Sequence, residues 1–316
     1  MGHGPLPHPS SPTARTTSVA PVARLVYLGT PDAAVAPLRT LVAAGHEVVL
    51  VVTRPDKRRG RGGARTPSPV KVAAVELGLT VTDELAEATS VGAELGVVVA
   101  YGRIIPVAVL DRLPMVNLHF SLLPRWRGAA PVERALLEGD AETGVCLMAV
   151  EAGLDTGAVY AVEATGIDPD ETVDELRDRL VSIGCHLLQV HLAHGRSGLP
   201  VPRDQDGNPT YAEKLLSHEL ELDWSRPAVQ LRRVVRLGRA WTTFRGKRVR
   251  VLAAASAADG ADGAPPGPGE LRGTVVGAGE GSRLDLVTVQ PEGKRPMDAA
   301  AWLHGVHPGP EDRLGN

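Results

Sequence analysis

The chain has 316 residues, which is enough for two domains and a sizeable core. Its formal net charge of −3 excludes a protein that binds nucleic acid through bulk positive charge. Two cysteines, Cys146 and Cys185, are too few for a disulfide framework or a cysteine-based zinc site. They are compatible with a reducing compartment, and no apolar run reaches the ~18 residues of a membrane span. We therefore expect a cytoplasmic protein without membrane association.

The first part of the chain is rich in proline, serine and threonine and contains no acidic residue. It also lacks the apolar core of a secretory signal. We expect residues 1–23 to be a disordered extension outside the fold.

From residue 24 onward, short apolar runs alternate with helical patterns. Strands are predicted at residues 25–29, 47–53, 96–100, 115–119 and 145–151. Helices are predicted between them, from residue 31 to before Gly45, over 70–78 and over 131–138. Near-continuous runs of valine, leucine and isoleucine between helices are typical of a parallel sheet covered on both faces. The pattern therefore predicts an α/β domain over residues 24–199.

The second half of the chain has a different pattern. Residues 171–194 predict one helix, in which Thr172 and Glu175 form a capping-box pair. Residues 200–215 are turn-rich and have no period, so we interpret them as an interdomain linker. A helix near residues 226–236 and several short strands after it predict a small β-barrel or sandwich over residues 216–316.

The stretch VNLHFSLLPRWRGAAP carries the strongest chemical signal. Asn117 and His119 share one face at the end of a predicted strand, where ligands bind in parallel α/β sheets. Asp155 follows 36 residues later in a glycine-bounded loop after the next strand, and we expect it at the same sheet edge. Together these residues favour acyl transfer, because amide and imidazolium donors can hold an oxyanion while the carboxylate helps to move a proton. In the alternative interpretation, Asn117 and His119 cap the strand end and Asp155 is a turn residue.

Two basic stretches favour a polyanionic partner. Residues 54–71 carry seven Lys or Arg against one Asp, and residues 232–250 carry eight and no acid, together with Trp241 and Phe244. Such patches in two domains fit a nucleic acid that contacts both, although either could be a solvated face. The sequence contains no G-x-G-x-x-G or P-loop motif, and no metal-ligand spacing near the predicted edge, so we expect no metal.

Several motifs resemble those of methionyl-tRNA formyltransferases, in order and over nearly all of the chain from Arg24 onward. They are GTPD, RPDK, GRG, PSPVK, VVVAYGRIIP, VNLHFSLLPRWRGAAP, GDAETGV, GLDTG and TYAEKL. The resemblance implies a Rossmann-like, doubly wound, mostly parallel sheet (the formyltransferase fold) and a smaller C-terminal OB-like β-barrel. It also implies transfer of a formyl group from 10-formyltetrahydrofolate to the α-amino group of methionine on initiator tRNA. The expected partner is thus initiator methionyl-tRNA rather than DNA, and we expect a monomer.

The resemblance also implies roles for individual residues. Asn117, His119 and Asp155 correspond to the catalytic residues. The folate site is implied to include the turn Ser121, Leu122, Leu123 and Pro124, with Tyr101, Gly102, Arg103, Ile104 and Ile105 near the pterin. Contacts to tRNA are implied for Arg58, Arg59, Arg61 and Arg65 in the first basic stretch and for Arg245, Lys247 and Arg248 in the second.

Two features depart from the family pattern. Phe120 stands where many members have a small residue, so we expect a differently shaped pocket beside His119. The connection RLGRAWTTF is shorter than the one common in the family.

Other functions remain open from the sequence, among them hydrolysis of formylfolate and a formylfolate domain linked to a dehydrogenase. Formyltransferases acting on glycinamide ribonucleotide or amino-sugar nucleotides share the Asn-His-Asp arrangement. They lack the first basic stretch and a basic C-terminal barrel. A tRNA-binding module that has lost catalysis is the rival of another class.

Overall fold

The structure is a computed structural model that describes residues 23–58, 65–257 and 265–316. The expected extension lies outside these residues except for Ala23, and so do Arg59 and Arg61 of the first basic stretch. None of the helices in the described ranges is long and apolar enough to cross a membrane.

The elements of the described residues follow the order expected for two domains. The strands are β1 (Arg24–Gly29), β2 (Glu47–Val52), β3 (Lys57–Arg58), β4 (Arg65–Thr66), β5 (Val81–Thr82), β6 (Leu95–Val99), β7 (Met115–His119), β8 (Arg127–Gly128), β9 (Glu142–Ala149), β10 (Val159–Gly166), β11 (Ala193–Arg196), β12 (Tyr211–Ala212), β13 (Trp241–Phe244), β14 (Lys247–Ser256), β15 (Leu271–Arg272), β16 (Val275–Gly277), β17 (Arg283–Pro291) and β18 (Met297–Asp298). The α-helices are α1 (Val35–Ala43), α2 (Pro69–Glu76), α3 (Val107–Leu110), α4 (Pro131–Glu138), α5 (Val173–His191), α6 (Ala228–Arg236) and α7 (Ala299–Val306). Short 3-10 helices cover Asp32–Ala34, Leu85–Thr89 and Ser217–Leu220.

The larger domain is built on a seven-stranded sheet in the order β10-β9-β7-β6-β1-β2-β5. The strands β5, β2, β1, β6 and β7 are parallel, which confirms the predicted mostly parallel sheet. Side chains alternate between two buried faces: Leu25 and Tyr27 pack in one core, whereas Val26 and Leu28 pack in the other. The sheet is thus covered on both sides, as its apolar runs predict.

Strand β9 differs from the expectation, because it pairs with β7 in the antiparallel direction. The intervening helix α4 has only eight residues, and Gly139 at its end adopts φ 74°. In this antiparallel pair, Cys146 lies opposite His119 at the carboxyl end of β7.

Helix α5 confirms the predicted capping box. The Thr172 hydroxyl accepts a hydrogen bond from the Glu175 backbone N–H, and the Glu175 carboxylate accepts one from the Thr172 backbone N–H. The helix ends at His191, three residues before the predicted end, since the chain enters the short strand β11.

The smaller domain is an antiparallel sheet in the order β13-β14-β17-β16-β15, with β18 paired to β17. It has a core of its own, in which Trp302 packs edge-on against Phe244 at 5.3 Å between ring centroids. Near the C-terminus, Leu314 pairs with Phe244 and Arg313 pairs with Glu270. Through these bridges, the C-terminal residues connect edge strand β13 to the residue before the other edge strand, β15, as in a barrel.

Residues 200–215 pack against the larger domain over much of their length. Arg203 pairs with Val159, and β12 pairs in parallel with β8. The segment predicted as a linker therefore forms part of the wall around the predicted site.

Candidate active site

Strand β7 presents Asn117 and His119 on one face, as its two-residue period requires. The His119 side chain is buried, and its Nε2 lies 2.8 Å from the carbonyl oxygen of Trp126. Because a carbonyl oxygen only accepts, Nε2 carries the hydrogen and Nδ1 is the nitrogen left to exchange a proton. The Asn117 amide lines the same cleft and has no hydrogen-bond partner among the described residues. It is therefore available to donate to a ligand.

Asp155 reaches His119 by a route that the sequence did not predict. Asp155 lies beside His119 as expected, but the preceding strand β9 is antiparallel and ends with Ala149 beside Val116, near the start of β7. The following loop returns and places Asp155 Oδ2 3.6 Å from His119 Nδ1. The same oxygen accepts a hydrogen bond of 2.8 Å from the Gly128 backbone N–H. A carboxylate so held faces the exchangeable nitrogen of the imidazole.

The turn after β7 brings these backbone partners to the site. Trp126 adopts φ 63° and Gly128 adopts φ 120°, a region that a residue with a side chain rarely enters. The Trp126 indole donates to Asp140, which also accepts two hydrogen bonds from Arg125. The residues of the RWR motif therefore have different roles: Arg125 stabilises the turn through Asp140, and the Trp126 carbonyl accepts the hydrogen bond from His119.

A cleft of about 820 Å³ surrounds the three predicted catalytic side chains. Its lining includes all five residues that the resemblance assigns near a pterin, namely Tyr101, Gly102, Arg103, Ile104 and Ile105. Ile104 is 80% exposed and Leu154, in the loop of Asp155, is 54% exposed. Exposed apolar side chains beside polar donors are typical of a site for a small organic ligand.

The turn from Ser121 to Pro124, predicted to face folate, does not line this cleft in the structure. Ser121 is fully buried, and its hydroxyl donates to the Arg125 carbonyl. The Pro124 carbonyl accepts from the Thr210 N–H. These contacts close the turn, and the assignment of these four residues to the folate site stays a prediction.

Phe120 lines the cleft, although it is 8% exposed and belongs to the core cluster that contains Leu118. Its ring lies near Gly184 of α5. The side chain thus fills the space between the end of β7 and α5.

The basic residues divide into free and bonded groups. Arg54, Arg103, Lys214 and Arg239 line the cleft, and none has a hydrogen bond or ion pair within the described ranges. Of the residues predicted to contact tRNA, the exposed Arg65 lies beside a smaller cavity of about 310 Å³, and Arg58 lies in β3. Arg59 and Arg61 fall outside the described residues.

In the smaller domain, Lys247 is exposed, and Arg248 stacks over Trp241 at 4.1 Å from the ring centroid. Arg245 instead forms two hydrogen bonds with the Asp312 carboxylate and contacts two carbonyls at the end of α7. Its guanidinium is therefore committed to the fold, although the side chain is exposed.

Sequence reasoning missed Gln205, Lys214 and Arg239. Lys214 and Arg239 line the cleft, and Gln205 contacts the loop that carries Asp155. Lys214 lies in the quoted TYAEKL motif and Arg239 in the shortened connection, which are the signals that could have found them. Gln205 gave no signal, since it lies in a segment without periodicity.

Cys146 lies beside His119 in the sheet and is 1% exposed. Burial raises the pKa of its thiol to about 11, so the thiol is protonated at neutral pH. It is therefore unsuited to act as a thiolate nucleophile. Within the described ranges, no group of three or more His, Cys, Asp and Glu is placed to hold a metal ion.

Comparison with known families defines the class of this protein. A model described as "Formyl transferase" matches residues 23–190, and one described as "Formyl transferase, C-terminal domain" matches residues 214–307. The fold is accordingly that of a formyltransferase.

Curated relatives specify the family. A methionyl-tRNA formyltransferase from Cereibacter sphaeroides strain KD131 is 44% identical over 296 residues, covering 89% of this chain and 96% of the relative. Another from Roseobacter denitrificans is 45% identical over 296 residues, covering 89% and 95%. The chain therefore belongs to the methionyl-tRNA formyltransferase family, whose members are formyl-transferring enzymes.

Solved structures share the fold at low sequence identity. An N-formyltransferase from Helicobacter canadensis, in complex with folinic acid and dTDP-3-aminofucose, matches with a TM-score of 0.65 at 15% identity, covering 84% of this chain and 98% of that one. HypX from Aquifex aeolicus, in complex with tetrahydrofolic acid, matches with a TM-score of 0.62 at 17% identity. That match covers 91% of this chain, which spans only 48% of the HypX chain.

Proposed function

We propose that this protein transfers the formyl group of 10-formyltetrahydrofolate to the α-amino group of methionine on initiator tRNA. The observation that carries the proposal is the grouping of Asn117, His119 and Asp155 in one cleft, where the Asn117 amide has no hydrogen-bond partner in the described part of the chain. Relatives at 44% and 45% identity carry the name methionyl-tRNA formyltransferase. Two structural neighbours were solved with folates, which supports a folate as the formyl donor.

The geometry supports a direct transfer between two nitrogens. The neutral methionyl amine attacks the formyl carbon, a new C–N bond forms, and the carbonyl oxygen becomes an oxyanion. Asn117 donates a hydrogen bond to that oxygen, and His119 donates another through Nδ1 when it is protonated, since Nε2 already donates to the Trp126 carbonyl. When the bond from the carbon to N10 breaks, the proton of the attacking amine passes to N10, and Asp155 assists directly or through water. The amide and the tetrahydrofolate are then complete.

A polyanionic substrate is supported by the charge at the cleft. Four cationic side chains that have no partner among the described residues line it, two of them from the larger domain's loops at Arg54 and Arg103. Lys214 and Arg239 come from the later part of the chain, so the cleft is completed by both sequence halves. Such side chains suit backbone phosphates, which supports an RNA substrate over a mononucleotide. Because one chain completes the cleft, we propose that a cytoplasmic monomer is the active species.

The deciding experiment supplies charged initiator tRNA and 10-formyltetrahydrofolate to the purified protein and measures formylmethionyl-tRNA. Glycinamide ribonucleotide and charged elongator tRNA are the control acceptors. We expect rapid formylation of the initiator tRNA alone. Formylation of glycinamide ribonucleotide instead would show that the chain is a formyltransferase for that acceptor. Binding of tRNA without consumption of the formyl donor would show that it is a tRNA-binding module without catalysis.

The role of the first basic stretch in tRNA binding needs a separate test. Replacement of Arg58, Arg59 and Arg61 by alanine is expected to weaken tRNA binding and to reduce the dependence of log Kd on log salt, because fewer counterions are released. If the dependence of log Kd on log salt is unchanged, the first basic stretch is only a solvated face.

A further inference from the structure

The loop that carries Asp155 has few attachments of its own. Residues 151–157 connect β9 to β10, and most of them are exposed. Asp155 adopts φ 51°, a left-handed conformation that is unfavourable for a residue with a side chain. In the described structure, the loop receives three hydrogen bonds: one from the Gly128 N–H to the Asp155 carboxylate, and two from Gln205 to its backbone.

Gln205 uses every hydrogen-bonding group of its side chain in this arrangement. Its Nε2 donates to the carbonyl oxygens of Asp155 at 2.8 Å and of Gly157 at 2.9 Å. Its Oε1 accepts from Arg127 Nε at 3.1 Å and from Nη2 at 2.7 Å. A primary amide offers two donors and an acceptor with two lone pairs, so Gln205 is fully satisfied.

Arg127 connects this amide to the turn that holds His119. It lies in β8 between Trp126, whose carbonyl accepts from His119, and Gly128, whose N–H donates to Asp155. The backbone of β8 is in turn paired with β12. A closed circuit of contacts therefore runs from His119 through the turn, Arg127 and Gln205 to Asp155 and back.

The circuit matters because the contact that it controls is loose. Asp155 Oδ2 lies 3.6 Å from His119 Nδ1, longer than the ordinary 2.7–3.2 Å of an N–H···O hydrogen bond. A small displacement of the loop therefore decides whether the carboxylate engages the imidazole or solvent.

We propose that Gln205 is a positioning residue, which holds the Asp155 loop through its two carbonyl contacts and so sets the distance between Asp155 and His119. The inference rests on the proposed role of these two residues in formyl transfer. Arg127 acts through Gln205, since both of its side-chain hydrogen bonds within the described residues go to Gln205.

Three single variants separate the parts of this arrangement. Gln205→Met keeps the length of the side chain and removes all four hydrogen bonds. Gln205→Glu keeps the acceptor for Arg127 but loses both donors to the loop. Asn208→Ala changes an exposed side chain in the same segment that makes no hydrogen bond in the described part of the chain, and it is the matched control.

The first measurement is the separation of kcat from KM on the full-length protein. We expect Gln205→Met and Gln205→Glu each to lower kcat by about 10²-fold, the cost of misplacing a reacting group by about 1 Å. KM for both substrates and the thermal midpoint should stay near those of the Asn208→Ala control. A wild-type kcat in Gln205→Glu would overturn the proposal. A lower kcat accompanied by a raised KM and a lower thermal midpoint would also overturn it.

The second measurement does not depend on activity. In protein labelled with ¹⁵N-histidine, the ring signals of His119 should move in both Gln205 variants and stay in place in Asn208→Ala. If the wild type fails to formylate tRNA, the proposed function is wrong, and these ring signals still decide whether Gln205 controls the environment of His119. Unmoved signals would refute that link.

A double variant tests the order of action. Because Arg127 acts through Gln205, Arg127→Met combined with Gln205→Met should lower kcat no further than Gln205→Met alone. Additive losses would show that Arg127 acts independently, and would contradict the circuit.

Discussion

At the scale of single residues, the site is specified by a few backbone groups as much as by side chains. The carbonyl of Trp126 determines which His119 nitrogen carries the hydrogen, and the N–H of Gly128 holds the Asp155 carboxylate. Both backbone groups belong to residues with positive φ, 63° at Trp126 and 120° at Gly128. Strained backbone of this kind is common where a site must be held in one geometry.

Replacement of His119 by alanine removes one donor to the oxyanion. Loss of one such donor lowers the rate by about 10²–10³-fold, and we expect that decrease in single-turnover formylation. Affinity for tRNA should remain unchanged, because the interaction is made only in the transition state. His186→Ala, an exposed position on α5, is the control. Near-normal turnover in His119→Ala would remove this residue from the mechanism.

The Cys146 thiol is expected to be inert in the folded protein. Its raised pKa of about 11 leaves almost no thiolate at mildly alkaline pH, and burial excludes the reagent. Mass spectrometry after iodoacetamide treatment should find Cys146 unmodified in the native state and alkylated in denaturing guanidinium. Rapid native labelling would contradict its position in the sheet.

At the scale of elements, short strands and helix ends carry contacts that their sequence signals do not reveal. Strand β8 has two residues, yet it joins the turn after β7 to residues 211–212. Helix α7 ends in carbonyls that accept from Arg245, a residue that the resemblance had assigned to tRNA. Basic side chains at helix C-termini are favourable for electrostatic reasons, so this use of the guanidinium is structural.

The ion pair of Arg245 predicts a pH-dependent stability. Hydrogen bonding to Arg245 lowers the pKa of Asp312 from 3.8 to about 2. A carboxyl with a depressed native pKa stabilises the fold above its unfolded pKa near 3.8, and this contribution disappears as the pH falls toward 2. The urea midpoint of Asp312→Asn should thus lie below that of the wild type at neutral pH and converge with it in acid. A difference that is constant with pH would refute the assignment.

At the scale of the whole molecule, helix α6 attaches the smaller domain to the larger one. Arg233 donates to the carbonyls of Leu137 and Glu138 at the end of α4. Arg236 donates to the carbonyls of Asp168 and Glu171 before α5, and Arg232 pairs with Asp170. These three cations of the second basic stretch hold α6 against the larger domain, and Arg239, three residues after Arg236, lines the cleft.

Arg236→Met tests this attachment. It removes two hydrogen bonds from a charged donor, each worth about 1.5–3 kcal/mol at most and less at a partly exposed site. We expect a lower calorimetric midpoint and a higher KM for tRNA, because Arg239 loses its position at the cleft. Arg226→Met, which disturbs only an exposed pair with Asp223, is the control. Equal behaviour of the two variants would show that α6 does not set the domain arrangement.

The sequence alone determined the elements whose signal is local. Apolar runs identified the parallel strands, the pair Thr172 and Glu175 marked the start of α5, and motif resemblance predicted that Asn117, His119 and Asp155 lie together, as they do in the cleft. These inferences succeed because a two-residue period, a cap or a motif is written in neighbouring residues. The direction of β9 and the packing of residues 200–215 were beyond such signals.

Only the tertiary structure decided which polar groups meet. Arg125 and Arg127 are two residues apart, yet one braces a turn through Asp140 and the other reaches Gln205, 78 positions along the chain. Ser121 and Arg245, both predicted to contact ligands, also make hydrogen bonds within the fold. The physical reason is that hydrogen bonds and burial depend on spatial proximity across distant segments, which no local pattern encodes. The sequence determined the chemistry available at the cleft, and the fold determined which groups are left free to perform it.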